Sequence, residues 1–156
     1  MQNYVGYGFS TKNIKNETWL ALVKTYDRDK FERYLSNQYR QIHGKEQNIS
    51  ADDHTVETEN ATDFILDMCG SLCEYLEQTI NREESAKAGT DYIVSSYDDY
   101  LIFDSARFAD DSPRTKYIQT QEDFITMIGQ YVPLEPITFG NLYEGNEWQD
   151  PIYTLN

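Results

Sequence analysis

DYIVSSYDDYLIFD, residues Asp91 to Asp104, is the stretch that decides how this chain folds. Tyr92 and Val94 fall on one face with Ile93 between them on the other, and Tyr100 and Ile102 oppose Leu101 and Phe103. That alternation marks half-buried strands and predicts two of them, Asp91–Ser96 and Asp99–Asp104. The turn between them holds no Gly or Asn, so a connection of four or five residues is expected rather than a tight primed turn. Beyond it, Asp110-Asp111-Ser112-Pro113 is turn chemistry. Thr120 with Asp123 then has the spacing of a capping box, and Phe124, Ile125, Ile128 and Val132 form the apolar stripe of the helix that follows. Pro133 and Pro136 close that helix.

Upstream, Tyr4 to Phe9 alternates between Val5, Tyr7, Phe9 and Tyr4, Gly6, Gly8, a strand with one aromatic face. Gly6-Tyr7-Gly8 lacks the third glycine and the directly following helix of a dinucleotide fingerprint. Trp19, Leu22, Val23 and Tyr26 recur at helical spacing after Asn16, and Phe31, Leu35 and Tyr39 do so after Asp29, with Gly44 placed as a C-cap. This pattern fits two helices or one bent helix over residues 17–42. Residues 45–59 are almost wholly polar and are expected to be a mobile loop. From Asn60, the apolar positions Phe64, Ile65, Met68, Cys69, Leu72, Leu76 and Ile80 predict one long central helix near 60–82. Past Pro136, Ile137–Phe139 reads as an edge strand, and Trp148, Ile152 and Leu155 as a wrapping segment. The expectation is a single α+β domain over 1–156, with a small, mainly antiparallel sheet packed against three to four helices.

Charge narrows the possible partners. The chain carries 13 Lys and Arg against 27 Asp and Glu, a formal net charge of −14. Residues 1–50 are mildly basic, and the remainder holds all the negative excess. Such a field opposes nucleic acid and anionic membrane surfaces and speeds encounter with a basic protein. The N-terminal residues lack a secretory leader pattern, and no window is apolar enough for a membrane span, so a cytoplasmic location with reduced thiols is expected.

No motif carries chemistry by itself. Cys69 and Cys73 stand at i, i+4, the spacing of two zinc ligands, but both fall in the apolar stripe, where free cysteine packs as a small hydrophobe. His43 and His54 are the only histidines, and Gly-x-Ser-x-Gly is absent. Asp98-Asp99, Asp104, Asp110-Asp111 and Glu122-Asp123 cluster in sequence without the central Gly and closing Glu of a calcium loop. No metal or other cofactor is expected. Carboxylates interleaved with tyrosine read as a recognition face, because rings anchor interfaces and charge supplies steering and register. The partner-binding residues on this reading are Tyr97, Asp98, Asp99, Tyr100, Asp104, Asp110 and Asp111.

In size, acidity and lack of a catalytic signature, the chain resembles two kinds of small inhibitor. One is the phage-encoded nucleic-acid mimic that blocks CRISPR or restriction nucleases. The other is the bacterial immunity protein that neutralises a basic toxin. The likeness is one of general character and assigns no residue a role. It implies a non-enzymatic acidic protein that inhibits a basic, nucleic-acid-handling partner. A carboxylate-dependent, divalent-metal hydrolase is the alternative, and an accessory domain whose acidity serves solubility is a third.

Overall fold

A computed structural model describes residues 4–88, 93–103, 121–133, 135–144 and 147–155, the last run by its backbone alone. The fold is α+β. In chain order the elements are β1 (Tyr4–Ser10), α1 (Asn16–Tyr26), α2 (Arg28–His43), α3 (Thr58–Cys69), α4 (Leu72–Ala88), β2 (Val94–Tyr97), β3 (Tyr100–Phe103), α5 (Gln121–Tyr131), β4 (Ile137–Tyr143) and β5 (Glu147–Leu155). The chain divides into two compact units, one made of residues 1–13 and 73–156, the other of residues 14–72. No described helix is long and apolar enough to cross a membrane.

The first unit is built on an antiparallel sheet of order β2-β3-β1-β4-β5. The aromatic face foreseen for β1 forms its core. The Tyr7 ring lies 6.3 Å from Phe139 and 6.2 Å from Phe124 of α5. Phe124 stacks on Phe103 at 5.2 Å, so α5 covers this side of the sheet with its buried stripe. On the opposite face, Gly8 pairs with Ile102 and with Gly140. A Cβ at Gly8 would stand 2.0 Å from the Leu101 carbonyl oxygen, so the approach of β1 to β3 requires glycine there. β4 is not the expected edge strand. It runs between β1 and β5, and β5 is the outer strand on that side.

α4 closes the opposite edge. In β2 the Ser96 N–H donates to Glu77 Oε1 at 3.0 Å, and the Ser96 hydroxyl donates to Glu77 Oε2 at 3.2 Å. The Ile93 and Val94 N–H groups donate to Asn81 Oδ1 at 2.7 and 3.0 Å, and Asn81 Nδ2 donates to the Val94 carbonyl at 3.0 Å. Two helix side chains therefore occupy hydrogen-bonding groups that a further strand would need.

The second unit holds α1, α2 and α3. The segment 17–42, open between one helix and two, is two: α1 stops at Asp27, whose φ of −136° leaves the helical range. Phe31 and Tyr34 of α2 pack on Phe64 of α3 with ring centroids 5.4 and 5.3 Å apart. The long helix expected near 60–82 is also two helices. Gly70 takes a φ of 82° and its N–H closes α3 on the Leu66 carbonyl at 2.9 Å, after which α4 starts afresh at Leu72. Asn60 is not the N-cap: its Oδ1 accepts from the Glu57 N–H at 2.8 Å from within the first turn. The described residues thus contain five helices, against the three to four expected.

Residues 45–57 have no regular element, yet α2 holds them closely. Ile49 N–H donates to Ser36 Oγ at 2.9 Å and Ala51 N–H to Glu32 Oε2 at 2.7 Å, with both Ile49 and Ala51 side chains buried. Asp52 accepts from Arg28 at 2.5 Å and faces Lys24 at 3.4 Å.

Candidate partner-binding site

The β2–β3 connection is tighter than its composition suggests. Tyr97 pairs directly with Tyr100, which leaves only Asp98 and Asp99 in the turn. Asp98 has a φ of 53°, and Asp is among the few residues apart from glycine that take this left-handed conformation without a large penalty. The two-residue turn takes the place of the four- or five-residue loop because Asp98 does the work usually given to Gly or Asn.

The turn projects chemistry outward on a braced stem. Tyr97 is 37% exposed and the carboxylates of Asp98 and Asp99 are exposed. The Asp99 carbonyl accepts from both the backbone N–H of Thr11, at 2.8 Å, and its hydroxyl, at 2.7 Å. Glu77 grips Ser96 on the other limb. The Asp99 carboxylate faces Lys12 Nζ at 3.6 Å, and both side chains are more than half exposed. Exposed pairs of this kind are worth under about 1 kcal/mol, so Lys12 is readily exchanged for another cation.

Of the residues read from the sequence as a recognition face, Tyr97, Asp98 and Asp99 come together at the tip. Tyr100 does not join them: at 7% exposure its side chain is buried and braces the hairpin from within. Asp104, Asp110 and Asp111 lie outside the described residues. Thr11, Lys12, Glu77 and Asn81, which set the position of the hairpin, were not identifiable beforehand, because their partners are remote in sequence.

The Cys73 thiol offers little reactivity. Both cysteines are free. Cys69 ends α3 and Cys73 lies in the first turn of α4, so the helical i, i+4 geometry assumed for them does not exist. Burial pushes the Cys73 thiol up to about 12, against a smaller opposing effect from its hydrogen bond with Thr11. A thiol so protonated is a poor nucleophile and metal ligand at neutral pH. His43 is exposed and packs against the Tyr39 ring at 4.4 Å, and His54 is exposed in the 45–57 segment. Among the described residues, no three His, Cys, Asp or Glu side chains gather as a metal site. No protein-family model, curated protein sequence or solved structure matches this chain.

Proposed function

We propose that this chain is a non-enzymatic acidic protein that binds and inhibits a basic, nucleic-acid-handling protein, with the β2–β3 tip as its contact point. The observation that supports the reading most directly is the tip itself, where one exposed tyrosine ring stands beside two exposed carboxylates on a two-residue turn. A ring of this kind anchors an interface at low entropic cost, and adjacent carboxylates can stand where phosphates would sit in a basic groove. Bracing by Thr11 and Glu77 fixes the tip before any partner arrives, which lowers the ordering cost of association. The net charge of −14 draws a basic partner in from beyond contact range, an effect that salt screens over about 8 Å at physiological ionic strength.

The test is capture from host lysate at low and high salt, followed by an assay of the captured protein's nucleic-acid-directed activity. The wild-type chain should retain a basic partner at low salt, release it at high salt, and suppress its activity. Changing Asp98, Asp99, Asp110 and Asp111 together to Lys should slow association and remove the inhibition. Unaltered capture by that variant would refute the proposed contact point. A saturable thermal shift with a divalent cation would instead assign the carboxylates to metal-dependent hydrolysis.

A further inference from the structure

Lys30, Arg33, Asn37 and Arg40 follow one another at intervals of three and four along α2, so they share one helix face, and all four are exposed. Lys30, Arg33 and Arg40 have no ion-pair partner among the described residues, in a protein with twice as many acids as bases. The carboxamides of Asn37 and Asn48 are likewise unbonded to any described residue. Arg33, Asn37 and Asn48 border a cavity of about 720 Å³ between α2 and residues 48–50, whose lining also includes Asp29 and Glu32. A cavity of about 370 Å³ continues it past Arg33 toward Lys30, and one of about 140 Å³ continues it toward Arg40. All three share Asn37, so they form one groove beside α2.

We propose that this groove binds a short extended peptide rich in acidic residues. From Lys30 to Arg40 the helix rises about 15 Å, the length of four to five extended residues at ~3.3 Å each. Carboxylates of the peptide meet the three cations, Arg33 through the donors left by the bond of its Nε to the Asp29 carbonyl at 3.4 Å, while Asn37 and Asn48, each able to donate and accept, match its peptide units. The far wall is already held by the bonds from Ile49 to Ser36 and from Ala51 to Glu32, so little ordering is needed on binding. A nucleic-acid strand fits less well. Asp29, Glu32 and Glu46 on the groove walls oppose a chain with a phosphate at every residue, whereas a peptide can set a neutral residue opposite them. The neighbouring ring of Tyr34 packs at a tilt on Phe64, and its hydroxyl accepts from Gln38 at 2.7 Å, so it is less available to a base than a free ring would be. The groove lies in the unit of residues 14–72 and does not rest on the reading of the hairpin.

The test is fluorescence anisotropy with a labelled short peptide of alternating Glu and Ser, its Gln-for-Glu counterpart, and oligothymidylate, each titrated with the full chain. The Glu peptide should bind about tenfold tighter than the Gln peptide at low salt. Arg33→Glu with Arg40→Glu should weaken it about tenfold or more. Asn37→Ala should weaken both peptides alike, by a few-fold, without changing the salt dependence. Circular dichroism checks that these surface variants stay folded. Equal affinity for the two peptides, indifference to the charge reversals, or tighter binding of oligothymidylate would each overturn the proposal.

Discussion

Replacing Asn81 with Ala tests whether the sheet edge is held by α4. Asn81 makes three hydrogen bonds to the backbone at Ile93 and Val94, at 2.7 to 3.0 Å, from a half-buried position. At ~0.5–1.5 kcal/mol each, their loss costs about 2–4 kcal/mol. Ala is the better helix former by roughly half a kcal/mol, so helix propensity alone predicts a slight gain in stability. The sign of the change therefore separates the two effects. A net loss near 2–3 kcal/mol is expected, a fall in Tm of about 5–10 °C for a chain of this size. Asn81→Asp keeps an acceptor for the two N–H groups and loses only the donor to the Val94 carbonyl, so it should cost less than half as much. Urea unfolding followed by circular dichroism gives the energies, provided the m-value is unchanged. Amide exchange at Ile93 and Val94 reports the edge itself and should accelerate selectively in the Ala variant. A neutral or stabilised Asn81→Ala protein would show that the edge does not depend on this side chain.

Gly8→Ala should cost about 3 kcal/mol or more, or prevent folding, because the new Cβ meets backbone 2.0 Å away. Gly6→Ala meets only the movable Ile102 side chain at 3.2 Å and should cost about 1 kcal/mol at most, so equal losses would contradict the close-approach argument. Asp52 should give the 49–52 segment an acid response. The hydrogen bond from Arg28, then that from Lys24, holds the Asp52 carboxyl below its usual range. A depressed folded value means that its contribution is present above the unfolded value near ~4 and is lost as pH falls through the folded one. Exchange protection at Ile49 and Ala51 should therefore weaken on acidification below about pH 4, and Asp52→Asn should already be weakened at neutral pH; an unchanged acid response in that variant would point to another group. Cys73, raised to about 12 by burial, should resist iodoacetamide in the native protein while half-buried Cys69 reacts first. Because its folded value is the higher one, it also predicts stability that is full below about pH 9 and declines as pH rises toward about 12, a decline Cys73→Ala should reduce.

Period and burial made much of the fold legible. The aromatic face of Tyr7 and Phe9, the stripe of Phe124 and Ile128, and Gly44 as a C-cap all carry their reason within a few residues of themselves. The break at Gly70 was hidden because the apolar spacing runs through it: Met68, Cys69 and Leu72 keep helical period, although Met68 is in fact exposed. The turn at Asp98 is tighter than composition implies, because composition ranks Gly and Asn first there and the left-handed tolerance of Asp is a weaker signal. For the site, alternation could show that Tyr97 and Tyr100 frame the turn but not which of them the rest of the unit would cover. The roles of Asn81 and Glu77 exist only once α4 lies along β2, and a mid-helix Asn or Glu announces no such task.

The insertion of residues 14–72 between two parts of the other unit bears on how the chain is made. During synthesis β1 emerges first, but its neighbours β3 and β4 come from far later in the chain. The three helices between can gather as soon as they leave the ribosome, while Tyr7 and Phe9 must wait, unpaired and apolar, for strands not yet translated. The window of greatest aggregation risk is therefore set by translation time, and slowing elongation after residue 72 should lengthen it.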